Sequence, residues 1–433
     1  MKLLAPVLAA LLLAAPAAAQ LSAPEKRMAA TVDGELDRHI GLLERLVNQN
    51  SGTLNLAGVE AVGRMMRAEL EPLGFRVLWV PTPETKRAGH LIATRKGNGR
   101  GKRMLLIGHL DTVFEPDSPF QRFTRRGDVA EGPGVGDDKG GMVVMVAALR
   151  AMQAAGTLKD ADIEIVLTGD EEDAGLPIEA ARRHLIEAGK RADVALDFEN
   201  LAQVDGRDMG SIARRSSANW EVRATGRSGH SSAIFREGVS NGAVYELARI
   251  IAAFRSELPE PNLTFNVGLV AGGASAALDE SKTRATASGK TNIIPEIAIA
   301  RGDIRTLSRE QEDRVRARMR EIVSRHLPGT GAEISFDPKY YPPMAPTAGS
   351  RALLERLNRV NRDMGLPEMG ELDPLRRGAG DIGFVAADVD GLVGLGTAGE
   401  GAHAAGETVE LPSIARQAKR AAILMSRLAR ERR

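Results

Sequence analysis

Residues 104–111 read MLLIGHLD, a short apolar run that ends in a histidine and an aspartate. Further apolar runs of this kind follow along the chain, at residues 163–167, 194–196 and 392–395. Continuous runs of this length are typical of parallel strands that are buried on both faces of a sheet. Stretches with helical spacing of apolar residues, such as 141–153 and 178–188, lie between them. The alternation predicts an α/β fold with a mostly parallel sheet flanked by helices.

The pattern changes near Ser216. The later runs mix apolar with polar residues, as antiparallel strands with one solvated face do, at residues 220–225, 263–267 and 298–304. An α/β pattern returns near residue 340. We therefore predict a first domain in two parts, residues 20–215 and 339–433, and an inserted α+β domain with an antiparallel sheet at 216–338.

The start of the sequence has the composition of a secretory signal peptide. Lys2 precedes an apolar run at residues 3–15, and three alanines at 17–19 follow it. The run is too short for a stable membrane span. We expect residues 1–19 to be removed and the rest of the chain to be periplasmic or secreted, with no membrane association after removal.

The overall composition is that of an ordinary globular protein. The 433 residues are 43% apolar and 27% charged, with a net charge of +1 and no cysteine. This length favours two domains, and the near-neutral charge gives no indication of nucleic-acid binding. Without disulfides, stability has to come from the core and, we expect, from bound metal.

Acidic residues and a histidine follow the apolar runs in four clusters: His109 and Asp111; Asp137 and Asp138; Asp170, Glu171 and Glu172; Asp197 and Glu199. The carboxyl ends of parallel strands share one edge of a sheet, so these side chains would converge on one crevice. One such acid is usually a helix cap or turn residue, but four clusters in order are hard to explain in that way. Their mutual repulsion predicts bound cations, and imidazole with carboxylate suits zinc.

Other catalytic motifs are excluded. The segment Gly132-Pro133-Gly134-Val135-Gly136 contains a proline and is followed by two aspartates, which would repel a dinucleotide pyrophosphate. The sequence has no Gly-x-Ser-x-Gly nucleophile elbow and no Walker-type phosphate loop.

Several motifs together resemble one family. In order along the chain they are GHLDTV, GPGVGDDKGG, TGDEE, DFEN, GHSS, TNIIP, DIR and GAHAAGE. This set resembles the dizinc aminoacylase and carboxypeptidase family, which includes bacterial glutamate carboxypeptidase, succinyl-diaminopimelate desuccinylase and acetylornithine deacetylase. The resemblance covers nearly all of residues 20–433 and implies a metal-dependent amide hydrolase.

The resemblance implies two zinc ions per subunit. The matching ligands are His109, Asp137, Glu172, Glu199 and His403, with Asp137 bridging both ions. Asp197 is an alternative to Glu199, because strand alternation would direct both side chains to the same side.

The same resemblance implies three further features of the centre. Asp111 would orient the His109 imidazole, as carboxylates behind metal-binding histidines do. Glu171 would act as the general base towards the attacking water. The peptide bond between Asp137 and Asp138 would be cis.

The inserted domain resembles the family's lid and dimerisation domain. His230 would reach into the active site of the partner subunit and stabilise the oxyanion, which makes a homodimer part of the expected catalysis. Asn292, Arg305 and Gly380 match substrate-binding positions, and Arg305 would bind the terminal carboxylate of the substrate.

We expect an exported hydrolase that releases a C-terminal amino acid from a small peptide or an N-acyl amino acid. Acidic substrates are favoured by further arginines near the site motifs, Arg214, Arg215, Arg376 and Arg377. The segment at 340–344 and the glycine-rich run at 378–381 depart from glutamate carboxypeptidase, which argues against folate-type glutamate release. The alternatives are an N-acyl amino acid deacylase or desuccinylase and, in another class, a non-catalytic peptide-binding protein.

Overall fold

The computed structural model describes residues 20–433, so the predicted signal peptide at 1–19 lies outside the described residues. The helices of residues 20–433 are α1 (Ala23–Gly34), α2 (Leu36–Asn48), α3 (Leu56–Leu70), α4 (Lys139–Ala154), α5 (Ile178–Arg191), α6 (Ala243–Glu257), α7 (Arg309–Ser324), α8 (Ala348–Asp363) and α9 (Leu411–Leu428). None of the helices in this part of the chain has the length and apolar character that a membrane span requires.

The strands of the same residues are β1 (Arg76–Thr82), β2 (Arg87–Arg95), β3 (Arg103–His109), β4 (Thr124–Arg126), β5 (Val129–Glu131), β6 (Asp162–Thr168), β7 (Val194–Asp197), β8 (Ala202–Val204), β9 (Arg207–Gly210), β10 (Ala218–Gly226), β11 (Thr264–Phe265), β12 (Leu269–Gly273), β13 (Ser275–Leu278), β14 (Ala285–Ser288), β15 (Ile297–Arg305), β16 (Thr330–Phe336), β17 (Gly370–Glu371), β18 (Gly391–Val393) and β19 (Thr408–Glu410). Short 3-10 turns connect several of them.

The main sheet has the strand order β1-β2-β6-β3-β7-β18. Strands β6, β3, β7 and β18 are parallel neighbours and coincide with the four apolar runs. Strand β2 pairs antiparallel with both of its neighbours, β1 and β6. At the carboxyl edge, His109 of β3 pairs with Thr168 of β6, and Ile107 pairs with Asp197 of β7. The parallel strands therefore end together, as the sequence predicts.

Helices cover both faces of this sheet. Successive residues of a strand point to opposite faces. Accordingly, Met104 and Leu106 belong to a core that contains residues of α1, α2, α4 and α9. Leu105 and Ile107 belong to a second core, which includes Leu185 of α5. The result is a three-layer α/β unit in which the strand ends remain free to carry side chains.

A second sheet lies within residues 216–338. Its strands are all antiparallel, in the order β11-β15-β10-β16, and β12 also pairs with β15. Helices α6 and α7 pack on one face, where Trp220 and Val222 are fully buried, while Arg223 on the other face is exposed. The predicted fold class is confirmed, and the exact domain boundaries stay a prediction.

His39, a buried histidine of α2, destabilises the folded protein at low pH. His39 is only 1% exposed, and neither of its ring nitrogens has a hydrogen-bond partner in the described residues. The nearest acid is Glu35, with an oxygen 3.7 Å from Nε2, and Arg150 binds that carboxylate. Burial lowers the pKa of His39 to about 4, although the charge of Glu35 opposes this effect.

The substitution His39→Leu should make the protein less sensitive to acid. The unfolded chain takes up a proton near the ordinary pKa of 6.5, whereas the folded chain resists until about pH 4. Stability from this residue is therefore intact above pH 6.5 and is lost as the pH falls to 4, by up to about 3 kcal/mol. Urea unfolding at pH 7 and pH 4 measures the difference.

The partly exposed His184 of α5 supplies the control, His184→Leu. This variant should keep the wild-type loss of stability between the two pH values. The same loss in His39→Leu as in the wild type would contradict the prediction.

Candidate metal centre

The strand ends bring the acidic clusters into one place, as the sequence predicts. His109 is the last residue of β3, Glu171 and Glu172 follow the end of β6, and Glu199 follows the end of β7. Asp137 lies in the loop before α4. The crevice therefore forms where the buried sheet meets its carboxyl-edge loops.

Asp137 lies between two imidazoles. One carboxylate oxygen is 3.0 Å from Nε2 of His109, and the other is 3.2 Å from Nε2 of His403. The same nitrogen of His403 is 3.0 Å from Oε2 of Glu172. One ligand atom each from His109, Asp137 and Glu172 lies within 4.8 Å of the others. Asp137 therefore links the two imidazoles, one through each of its carboxylate oxygens.

The chemistry of these donors fits zinc. The contacting atoms are imidazole nitrogens and carboxylate oxygens, which are common zinc ligands. Burial lowers the pKa of His109, but hydrogen bonds to Asp111 and Asp137 outweigh it and raise the pKa well above the ordinary value. Hydrogen bonds to Asp137 and Glu172 raise the pKa of His403 to about 11. Metal ions would compete with protons for these nitrogens.

The backbone at His403 is unusual. Its φ angle is 66°, in the left-handed region that residues other than glycine seldom adopt. Conformations of this kind persist where surrounding structure enforces them and are common at functional sites. The turn directs the imidazole, which is 56% exposed, onto Asp137 and Glu172.

Asp111 supports the centre from behind. It is fully buried, and Nδ1 of His109 lies 3.1 Å from its backbone carbonyl oxygen and 3.4 Å from one of its carboxylate oxygens. It also accepts the backbone N–H groups of Glu171 (3.0 Å) and Glu172 (3.1 Å) and the hydroxyl of Thr53 (2.6 Å). Asp111 therefore orients the imidazole through its backbone carbonyl and carboxylate, and its carboxylate also fixes the loop that carries the two glutamates.

The loop that carries Asp137 has a similar support. Glu407 accepts three backbone N–H groups, from Gly134, Gly136 and Asp137, at 2.8–3.0 Å. The predicted cis peptide bond between Asp137 and Asp138 is present. Sequence reasoning assigned no role to Glu407, although it stands four residues after His403 in the same late motif.

Glu171 lies against a buried polar network. Burial raises the pKa of its carboxyl well above the usual range, and the neighbouring charges of Glu172 and Glu199 add to the effect. The hydroxyl of Tyr341 donates to the backbone carbonyl of Glu171. Arg182 in turn donates to the Tyr341 oxygen at 3.2 Å.

Arg182 neutralises two buried acids behind the centre. It is fully buried and binds Asp170 at 2.6 Å and Asp381 at 2.7 Å. Asp381 also accepts the hydroxyl of Thr168 at 2.5 Å. This network has no signal in the sequence, because Arg182 lies within α5 and nothing in its spacing distinguishes it from a surface residue.

Glu199 is near the centre but has a different partner. Its carboxylate pairs with Arg214, and both side chains are buried. Asp197, the alternative ligand, is 1% exposed and accepts the backbone N–H of Glu199 at 3.2 Å through one oxygen. Gly380 lies directly against this pair, since a Cβ atom there would lie 2.5 Å from Oε1 of Glu199.

The predicted lid residues lie on the second sheet and its loops. His230 is exposed and bonds Ser232 at 2.8 Å, within its own loop. The side chain of Asn292 is also exposed. Arg305, at the end of β15, pairs with Asp303 at 3.2 Å. Its guanidinium would be 3.7 Å from a Cβ atom at Gly378, two residues before the Gly380 that contacts Glu199.

Known proteins resemble this chain over most of its length. The sequence is 28% identical over 395 residues to carboxypeptidase G2 of Pseudomonas sp. (strain RS-16), covering 89% of this chain and 88% of that protein. It is 30% identical over 309 residues to succinyl-diaminopimelate desuccinylase of Novosphingobium aromaticivorans, covering 68% of this chain and 75% of the relative.

Solved structures share the fold. Aminopeptidase PepT from Bacillus cereus superposes with a TM-score of 0.72 at 19% identity, covering 91% of this chain and 99% of that one. A dinuclear metal-binding peptidase of the M20 family from Bacillus subtilis gives a TM-score of 0.64 at 17% identity, covering 92% and 99%.

The sequence model of peptidase family M20/M25/M40 matches residues 105–427. The match includes every residue from His109 to His403, and the resemblance found in the motifs is thereby confirmed. The prediction of a hydrolase with a metal-binding site is confirmed with it. The chain belongs to peptidase family M20/M25/M40.

Proposed function

We propose that this protein is a dizinc amidohydrolase that releases a C-terminal amino acid from a peptide or an N-acyl amino acid. The observation that carries the proposal is the position of Asp137, with one oxygen at His109 and the other at His403. Glu172 would complete the ligands beside His403, and Glu199 would complete those beside His109. Bound zinc would polarise the scissile carbonyl and make a water molecule at the site more acidic.

Glu171 is the proposed general base. Its backbone is fixed by Asp111 and by Tyr341, so the carboxyl group is held next to the centre. It would take a proton from water as the water oxygen bonds to the amide carbon. The same proton would pass to the amine nitrogen as the carbon–nitrogen bond breaks, which returns Glu171 to its starting state.

The arginines beside the centre favour a substrate with more than one carboxylate. Arg305 would bind the terminal carboxylate of the substrate. Its neighbour Arg215 is 8% exposed, and its Nε has no hydrogen-bond partner in residues 20–433. Burial and the charge of Arg305 lower the pKa of Arg215, although Asp303 and Asp373 oppose this. A second carboxylate of the substrate, on an acidic side chain, would balance the positive charge of Arg215.

A homodimer is the proposed working form, with His230 acting on the partner's site. Next to His230 the lid has an exposed apolar surface, formed by Phe235 (66% exposed), Val244 (42%), Tyr245 (53%) and Val270 (55%). The rings of Phe235 and Tyr245 contact each other at 5.7 Å, and a cavity of about 530 Å³ opens beside them. Exposed apolar surface of this kind favours association.

Export stays a prediction from the signal-peptide pattern at residues 1–19. A deacylase that removes an acetyl or succinyl group would use the same machinery, so the substrate decides between the two enzyme functions. A periplasmic or secreted location would favour scavenging over biosynthesis.

Removal of the metal should abolish hydrolysis, and zinc should restore it at two ions per chain. In the zinc-loaded protein, Glu171→Gln should lower kcat by about 100- to 10,000-fold, because the proton acceptor is lost. Hydrolysis assays on dipeptides and on N-acetyl and N-succinyl amino acids test this prediction. The zinc content of each protein is measured by elemental analysis.

Asp173→Asn is the matched control, because Asp173 is a nearby, half-exposed acid that pairs with Arg87 and Lys339. It should retain near-normal kcat. Hydrolysis that survives chelation, or fewer than two zinc ions after reconstitution, would overturn the dizinc proposal. If only the N-acetyl or N-succinyl compounds are hydrolysed, the protein is a deacylase and not a carboxypeptidase.

Subunits that carry different defects should restore each other. A heterodimer of His230→Ala and Glu171→Gln subunits has one site with both groups intact if His230 acts in trans. Random reassociation of equal amounts should therefore recover about one quarter of wild-type activity. If His230 acts within its own chain, the proven heterodimer should remain as inactive as its parents.

A lid histidine outside the proposed mechanism provides the comparison for this experiment. His326 is 38% exposed and lies 3.5 Å from Glu246. The His326→Ala homodimer should be active without a complementing Glu171→Gln subunit, in contrast to the His230→Ala homodimer.

Arg215→Gln should lower selectivity for acidic residues. We expect kcat/KM for substrates that end in glutamate or aspartate to fall about 10- to 100-fold, the range for a lost charge-assisted contact. Substrates that end in leucine should change much less. The exposed Arg223 gives the control Arg223→Gln. An equal loss on acidic and neutral substrates would refute the assignment.

A further inference from the structure

The two ends of the centre carry different counter-charges. At one end, Glu172 contacts His403, an imidazole that is 56% exposed and is itself a proposed metal ligand. At the other end, Glu199 contacts Arg214, a guanidinium that stays charged. The side chains of Arg214 and Glu199 are only 5% and 9% exposed.

Arg214 is fixed in position by more than this ion pair. It donates to the carbonyl of Gly378 at 2.6 Å and to the carbonyl of Ala379. It is thereby fastened to the segment that contacts Glu199 through Gly380. Movement of Arg214 away from Glu199 would break these contacts as well, so they oppose displacement of the cation by a metal ion.

The consequence follows from electrostatics. A divalent ion beside Glu199 would share that carboxylate with a fixed positive charge in a buried environment, where charges are poorly screened. Beside Glu172, the side chain in contact is the His403 imidazole, itself a proposed ligand, and no arginine or lysine of residues 20–433 pairs with that carboxylate. A metal ion is therefore attracted less strongly to the Glu199 end of the centre than to the Glu172 end, although the ligand atoms are of the same kinds.

We propose that Arg214 is a built-in counter-ion to Glu199 that makes the zinc position at Glu199 weaker than the position at Glu172 and His403. This rests on the proposed dizinc function. The protein would fill the Glu172 position first and take up the second ion only at higher zinc activity. Arg214 is a positioning residue here and sets metal affinity through Glu199.

The test is zinc titration of the chelator-stripped full protein in competition with a coloured chelator. In Arg214→Gln, the dissociation constant of the weaker zinc position should fall about 10- to 100-fold, the scale on which residues behind metal ligands change affinity. The tighter position should change by much less. Arg215→Gln is the control, because that side chain contacts Thr264 and Leu375 instead of Glu199. It should leave both constants unchanged.

Two further variants keep the test decisive. Arg214→Lys retains the charge and should keep the weaker position within about threefold of wild type, even if Arg214→Gln does not fold. Glu199→Gln removes the ligand, and in the double variant with Arg214→Gln the effect of the arginine should disappear.

The outcomes separate this inference from the proposed function. A folded Arg214→Gln protein with an unchanged or weaker second position would overturn the counter-ion role, and so would a tightened second position in Arg214→Lys. A wild-type protein that binds no zinc would instead overturn the dizinc function itself. Two ions in both proteins, with the second taken up at a lower zinc concentration in Arg214→Gln, would support the inference directly.

Discussion

The structure depends on the mutual repulsion of buried and partly buried carboxylates at one edge of a parallel sheet. Asp111, Asp137, Asp138, Glu171, Glu172, Asp197 and Glu199 meet where β3, β6 and β7 end. Buried charges of one sign are stable only when they are paired, hydrogen-bonded or bound to metal. Different acids of the centre meet this requirement through different partners. Arg182 pairs with the acids behind it, Arg214 pairs with Glu199, and the imidazoles stand where we propose that zinc binds.

The support behind the centre consists of hydrogen bonds to backbone, which a packed sheet keeps in place. Asp111 holds the loop of Glu171 and Glu172, and Glu407 holds the loop of Asp137. Because both acceptors are buried, neither loop can move without leaving a carboxylate without its donors. The positions of the metal-ligand side chains are therefore set by residues that would never touch metal or substrate.

Much of the fold could be predicted because burial leaves a direct trace in sequence. The apolar runs of β3, β6, β7 and β18 are continuous since both faces of each strand are covered. The mixed runs of β10 and β15 identified strands with one solvated face. Along this part of the chain, composition, spacing and the family motifs all agreed on the same architecture. The Arg182 network left no such trace, because its members come from α5, a strand end and two distant loops.

The sequence by itself determined the α/β architecture, the family, and the histidine and acidic residues of the candidate centre, because each of these residues lies in a family motif and most of them follow a strand end. Only the tertiary structure decided how the charges pair. It placed Asp137 between His109 and His403, assigned Arg214 to Glu199, and brought Arg215 beside Arg305. Pairing of this kind depends on distances between residues far apart in the chain. Spacing along a sequence carries no information on such distances until the sheet brings them together.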